Sequence, residues 1–356
     1  AAIPLLFMVF PAQAQDNSIY IQCGGAGTQC VNLAAGDGQI TMADDIQKPM
    51  YIFSFAEVPL PGDGDAPADP DLYASWIMDQ GALTANAPAP TIIADEDVPL
   101  YLNLTNVGMV LRPDLSDPHT VHWHGFPNAS AVFDGVPDSS VSISMGATLT
   151  YFYKPVDAGT YMYHCHVEAT EHMQMGMLGN LYVRPRQNKL TPGTDLSDAF
   201  ASNPANSVNG GSTPAPAIDT GATHAADQQY AYNDGDGSTA YDVEVPIQIG
   251  SFDSNFHDAS YFVQPLPFAG MRDDYFLLNG RGYPNTVVQS AMSTVNDIGR
   301  SVESQPVSSY VEANQGEQIL LRISNLNVTQ FNTLGTNGIP MKVIALDARL
   351  PVSYTH

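Results

Sequence analysis

Basic residues are scarce: 12 Lys and Arg stand against 37 Asp and Glu, a formal net charge of −25 over 356 residues. A surface of that sign repels phosphate backbones and anionic lipid heads over about a Debye length, so nucleic acid is excluded as a natural partner. Long apolar runs are missing too. The longest, AAIPLLFMVF at the start, is half the ~20 residues that a membrane-spanning helix needs, and no membrane anchor is expected. Helical periodicity is also rare, and cysteine is limited to three.

The composition that remains is that of a folded protein. A hydrophobic fraction of 44% argues against disorder as the main state, and the length suits about two domains of ~150 residues. The opening apolar run is followed by PAQAQD, in which Ala12-Gln13-Ala14 fits a small-x-small cleavage site. Residues 1–14 therefore read as the tail of a signal peptide, with a buried strand as the alternative, and the protein as exported to a periplasmic or extracellular space. In an oxidising compartment Cys23 and Cys30, which bracket the stretch CGGAGTQC, are expected to pair, leaving Cys165 over.

Period-two alternation recurs where helical spacing does not. Leu100, Leu102 and Leu104, then Leu149, Tyr151 and Tyr153, then Ile319, Leu321 and Ile323 predict strands with one buried face. With 29 Gly and 27 Pro between short runs, the pattern favours β-sandwiches, an all-β fold. Residues 186–240 are rich in turn formers and read as a linker or surface excursion between a first domain, 15–185, and a second, 241–356. NAPAPTIIADEDVPLYLNLTN in the first has a counterpart in LLNGRGYPNT with VEANQGEQILLRISNLN in the second, so one sandwich is expected twice. The second copy stops before the strands that would close it, which reads as a fragment of a longer protein.

Six of nine histidines and the odd cysteine fall in DPHTVHWHGFPN (117–128) and GTYMYHCHVEATEHMQMGM (159–177). On strands, parity sorts them: His122 and His124 share a face, His164 and His166 share a face, and Cys165 and His119 point the other way. A loop returning His172 and Met177 to the sulfur side completes two imidazoles, a thiolate and a thioether, the ligand set of a blue copper site. Zinc also takes Cys and His but gains little from Met. Met175 rivals Met177 as the axial ligand, and Met162, Met173 and Met175 fit ordinary packing as well as a copper(I) contact surface.

HTVHWHG, GTYMYHCH, His172 and Gly176-Met177 together resemble the copper signature of the multicopper oxidases. The resemblance implies tandem cupredoxin-like Greek-key β-sandwiches, the second incomplete and without a copper motif, and it implies copper as cofactor, type 1 plus a type 2/type 3 trinuclear cluster. It makes His119, Cys165, His172 and Met177 the type 1 ligands, and His122, His124, His164 and His166 cluster ligands. It further implies one-electron oxidation of a small-molecule or metal-ion donor at an exposed edge of His172, coupled to reduction of dioxygen to water, with Asp134 as a proton relay or, alternatively, a plain turn residue. Two departures stand out. Six residues separate Cys165 from His172, two more than in common laccases, and the type 1 motif lies in the first domain rather than the last.

Such a cluster takes eight histidines, and NVTQFNTLGTNGIP in the second domain offers none. The missing ligands come from beyond His356, from another subunit of a homo-oligomer, or no cluster forms. A copper nitrite reductase also carries type 1 copper in its first domain, but its usual pattern lacks the second His of HCH. A non-catalytic blue copper electron carrier is the remaining alternative.

Overall fold

The computed structural model describes residues 18–44, 49–127, 129–201 and 221–350. The leader read at residues 1–14, the stretch 202–220 and His356 lie outside the described residues.

Eight strands build the first unit: β1 (Gln29–Ile40), β2 (Met50–Glu57), β3 (Ala89–Asp95), β4 (Leu100–Gly108), β5 (His122–His124), β6 (Thr148–Tyr153), β7 (Gly159–His164) and β8 (Leu178–Arg184). They form two four-stranded sheets, ordered β2-β1-β4-β6 and β3-β8-β7-β5. The inner faces carry the expected alternation, for Leu100, Leu102, Leu104 and Tyr151 have no exposed surface. Phe53, Phe55, Trp123, Tyr163 and Leu181 fill the space between the sheets. Each large side chain sealed there contributes about 1.5–3 kcal/mol, which makes this layer the main source of stability.

The helices are short: α1 (Pro70–Gln80), α2 (Ala169–Gln174), α3 (Asp198–Ala201) and α4 (Ser254–Tyr261). Asp69 caps α1 by accepting from the backbone N–H of Asp71 and Leu72, and Pro70 suits a first turn whose N–H has no partner in the helix. The outer face of β4 is not left to solvent either. Asn103 bonds both backbone groups of Gln22 and accepts from Thr150, which ties the segment before β1 across the sheet. The Cys23–Cys30 disulfide closes the turn between them, as the sequence predicts.

After the first sandwich come β9 (Gln229–Tyr230), β10 (Ala240–Tyr241), β11 (Val243–Phe252), β12 (Tyr275–Leu278), β13 (Met292–Val295), β14 (Ser301–Gln305) and β15 (Ile319–Asn325). β11 runs antiparallel to β12 and parallel to β15, the arrangement that β1 makes with β2 and β4. The matching segments also share a cis proline, at Ala87–Pro88 and at Tyr283–Pro284. The described part of the turn-rich stretch packs closely: Asn233 donates to Glu96, which is buried and also holds Arg186, while Gln187 donates to Asp234.

β15 departs from expectation. Ile319 and Ile323 are exposed, and the covered side of the strand presents Leu320, Arg322 and Ser324. The reason is a polar seam with the first sandwich. Arg322 donates to Glu244 on its own sheet at 2.5 Å and to Thr160 on β7 at 3.0 Å, and lies 4.9 Å above the Tyr182 ring. Arg184 of β8 reaches the other oxygen of Glu244 at 2.8 Å, and Ser324 donates to Asn180. A hydrophobic parity rule cannot see an interface made of paired charge.

Burial raises the Glu244 carboxyl, but the Arg322 and Arg184 guanidinium groups outweigh it and hold the group below its ordinary value of 4.5. A depressed carboxyl contributes stability that is present above its unfolded value and is lost as the pH falls through the folded one. Arg322→Met leaves Glu244 without its closest cation and is expected to cost about 3 kcal/mol at neutral pH. Urea unfolding between pH 7 and pH 3 measures it. A variant with the wild-type midpoint at pH 7 and the wild-type acid sensitivity refutes the role given to the seam.

Candidate metal centre

The site is built where β5 and β7 pair antiparallel, with His122 opposite His164 and His124 opposite Met162. Because β7 ends at His164, Cys165 and His166 follow in extended continuation and alternate sides. Cys165 is wholly buried in the sandwich core, whereas His166 stays partly exposed on the other side with His122 and His124.

On the core side, His119, Cys165 and His172 bring ligand atoms within 4.8 Å of one another. His172 Nδ1 lies 3.2 Å from Cys165 Sγ and His119 Nδ1 lies 4.0 Å from it. Each element has a local cause. An isolated bridge between His119 and Ile143 fixes the segment before β5, and Thr120 N–H points at the sulfur from 3.5 Å. α2 carries His172 back over the cysteine in its last turn, so a helix, rather than the expected loop, returns the second imidazole. The turn that follows passes through Gly176 at φ +116°, where an added Cβ would stand 3.0 Å from the Phe53 carbonyl oxygen. Cys165 N–H then donates to the Met177 carbonyl at 3.1 Å. Met175 and Met177 are both fully buried in the same core cluster.

Burial depresses both imidazoles, His172 to about 4 and His119 well below its ordinary value, and pushes the Cys165 thiol up to about 11. Both rings are thus neutral near pH 7, with lone pairs free, and a metal captured here displaces a single proton from sulfur. The Nε2 atoms of His119 and His172 have no hydrogen-bond partner among the described residues. Two neutral nitrogens and one sulfur in a dry pocket fit a soft, borderline ion such as copper.

On the opposite side, His122, His124 and His164 bring ligand atoms within 4.8 Å. His166 joins them, with its ring 5.1 Å from His122 and 5.6 Å from His164. The tautomers are set by carbonyls. His122 Nδ1 donates to Asp134 O at 2.6 Å and His164 Nδ1 donates to Cys165 O at 2.7 Å, which leaves each Nε2 lone pair available. Gly135, at φ +73°, permits the first of these bonds, because any Cβ there would lie 2.2 Å from the Val121 carbonyl oxygen. The Asp134 carboxylate stands 3.3 Å from the same His122 nitrogen. His124 Nδ1 faces His164 Nε2 at 3.2 Å, a contact of two nitrogens that suits a shared cation.

The structure corrects a further expectation and adds a residue. His172 has no exposed edge: its side chain is 0% accessible. Its Nε2 instead approaches Asp117 Oδ2 at 3.9 Å, and Asp117 is partly open to solvent. Glu168 and Glu171 complete an acidic rim; Glu171 is pushed up to about 7 by burial and by the charges of Glu168 and Asp117. Asp117 was available in the sequence, two residues before His119, but a single Asp before a Pro reads as a turn former.

The profile of the multicopper oxidases matches residues 79–188, which contain every candidate ligand. The multicopper oxidase MCE of Talaromyces pinophilus is 35% identical over 114 residues, covering 32% of this chain and 17% of its own length. Laccase-1 of Emericella nidulans is 36% identical over 107 residues, covering 30% and 16%. The chain thus matches about a sixth of the length of these curated relatives. Among solved structures, the multicopper oxidase mgLAC aligns at a TM-score of 0.44 with 20% identity, over 75% of this chain and 59% of its own. Residues 79–188, with the two donor sets inside them, are thus similar to the multicopper oxidases.

Proposed function

We propose that the chain is the electron-receiving part of an exported oxidase that takes single electrons from a reduced small-molecule or metal-ion donor and delivers them to dioxygen. The observation that carries this reading is the sequence His164-Cys165-His166, in which one bonded segment joins the sulfur-side donors to the imidazole bank. Copper held by His119, Cys165, His172 and Met177 would supply one-electron exchange, and copper held by His122, His124, His164 and His166 would supply the dioxygen-reducing end.

The protein's own groups do the rest. His119 and His172 present neutral nitrogens and exclude water from the sulfur. Because His172 is enclosed, a donor meets the protein at Asp117, whose partly exposed carboxylate lies 3.9 Å from that ring. Asp117, Glu168 and Glu171 favour a cationic donor there. Asp134, beside His122 and partly exposed, is placed to hold a proton for reduced oxygen species. The second imidazole of the HCH triplet, His166, packs with His122 and His164, which favours an oxidase over a nitrite reductase. The four imidazoles are half of a full cluster, so this reading needs a second set from further chain or from another subunit. Export is supported by the Cys23–Cys30 disulfide, which persists in oxidising compartments. No helix among the described residues is long and apolar enough to cross a membrane.

Copper-loaded protein is expected to absorb strongly in the visible with the colour of a thiolate-bound copper(II) ion. Cys165→Ser should abolish that colour, and His122→Ala should lower the copper content while keeping it. Visible spectra with metal analysis check both, and a colourless wild type or a coloured Cys165→Ser sinks the assignment. At the rim, Asp117→Asn should lower kcat/KM for a cationic donor by about tenfold and leave a neutral donor within about twofold, from a lost charge contact of ~1.4 kcal/mol. Equal losses for both donors would rule out an electrostatic docking role.

A further inference from the structure

The sulfur-side ligands His172 and Met177 sit on a turn whose four successive carbonyls, from residue 174 to residue 177, are each taken by a donor from elsewhere. Phe53 N–H donates to Met175 O at 3.0 Å, Ser54 Oγ to Gly176 O at 2.9 Å and Cys165 N–H to Met177 O at 3.1 Å. All three donors belong to the first sandwich. The Gln174 carbonyl is held by His257 Nε2 at 3.0 Å, from α4 of the second unit.

His257 is an unusual residue to find there. It is 1% exposed, and its other nitrogen, Nδ1, faces the Tyr51 carbonyl on β2 at 2.5 Å. One ring therefore spans two backbone acceptors 123 residues apart, on the strand and on the turn that together frame His172. Both bonds at once require a proton on each nitrogen, which burial opposes by holding the ring below its ordinary value; a neutral ring donates to one of the two carbonyls only. Asp253 caps α4 by accepting from Asn255 and Phe256, which fixes the helix that presents the ring. The neighbouring Phe252 ring, 4.7 Å from His257, is also the nearest second-unit side chain to the Gly176 Cα side of the turn.

We propose that His257 is a positioning residue of the sulfur-side metal site: its Nε2–H holds the Gln174 carbonyl and so fixes the turn that delivers His172 and Met177, an inference that rests on the copper reading above. The second unit, among whose described residues no further donor cluster occurs, thereby sets the geometry of the candidate ligands in the first. His257 does not touch the sulfur, the donor or the cluster side, and acts only through the backbone of α2 and the turn after it.

The two amide substitutions separate positioning from packing. Glutamine places its N–H about where Nε2 stands, and asparagine about where Nδ1 stands, so His257→Gln keeps the bond to Gln174 and His257→Asn keeps only the bond to Tyr51. In metal-free protein, amide hydrogen exchange at His172, Met175 and Met177 is expected to accelerate about tenfold in His257→Asn and to stay near wild type in His257→Gln, the effect of one hydrogen bond. After copper loading, the position of the visible band and the reduction potential should move in the asparagine variant and be restored in the glutamine variant. Identical exchange and spectra in wild type and His257→Asn, or equal changes in both variants, overturn the inference. Should His257→Asn not fold, nitrogen-15 NMR of the wild-type imidazoles decides: a proton on His257 Nε2 bonded to the Gln174 carbonyl supports it, and a bare Nε2 overturns it. A wild type that gains no colour with copper would instead defeat the functional reading, while the exchange comparison still judges the clasp.

Discussion

The organisation of the site depends on one constraint, the alternation of side chains along an extended backbone. Because successive residues leave a strand on opposite sides, His164-Cys165-His166 sends sulfur into the core and both imidazoles away from it, and His122 and His124 meet those imidazoles across the β5–β7 pair. The two donor sets are as close as a chain allows without sharing a pocket. Their chemistry then diverges through environment alone: the sulfur side is sealed and apolar, while the imidazole side is partly open and bordered by Asp134.

Sealing has a cost that the surrounding contacts offset. A buried thiol and two buried imidazoles stay neutral without a metal, and their orphaned Nε2 atoms forgo hydrogen bonds. The turn that brings His172 and Met177 into place has a donor on every carbonyl from 174 to 177, so these side chains need no polar partners of their own to be fixed. The scaffold supplies order through main-chain bonds and leaves the side chains free for an ion.

The first sandwich was largely legible in the sequence, since its strands bury one face of simple alternation and its ligands cluster within two short stretches. Parity was enough to divide Cys165 and His119 from His122, His124, His164 and His166. Three features were not legible. The covered face of β15 is Arg322 and Ser324 rather than Ile319 and Ile323, because charge pairing with Glu244 across the interface decides it. His172 is buried because α2 carries it inward, against the Phe53 ring and Cys165, and a motif does not specify what covers a side chain. His257 reads in isolation as a stray histidine; only the packing of α4 on the first sandwich gives it two acceptors.

The enclosure of His172 bears on how this protein would tell one reductant from another. A ring flush with the surface lets a flat organic molecule lie against it, so recognition proceeds by outline. A ring roofed by carboxylate leaves no such platform. Under the proposed reading, discrimination would pass to the field in front of Asp117, which would favour a dense cation over a bulky aromatic.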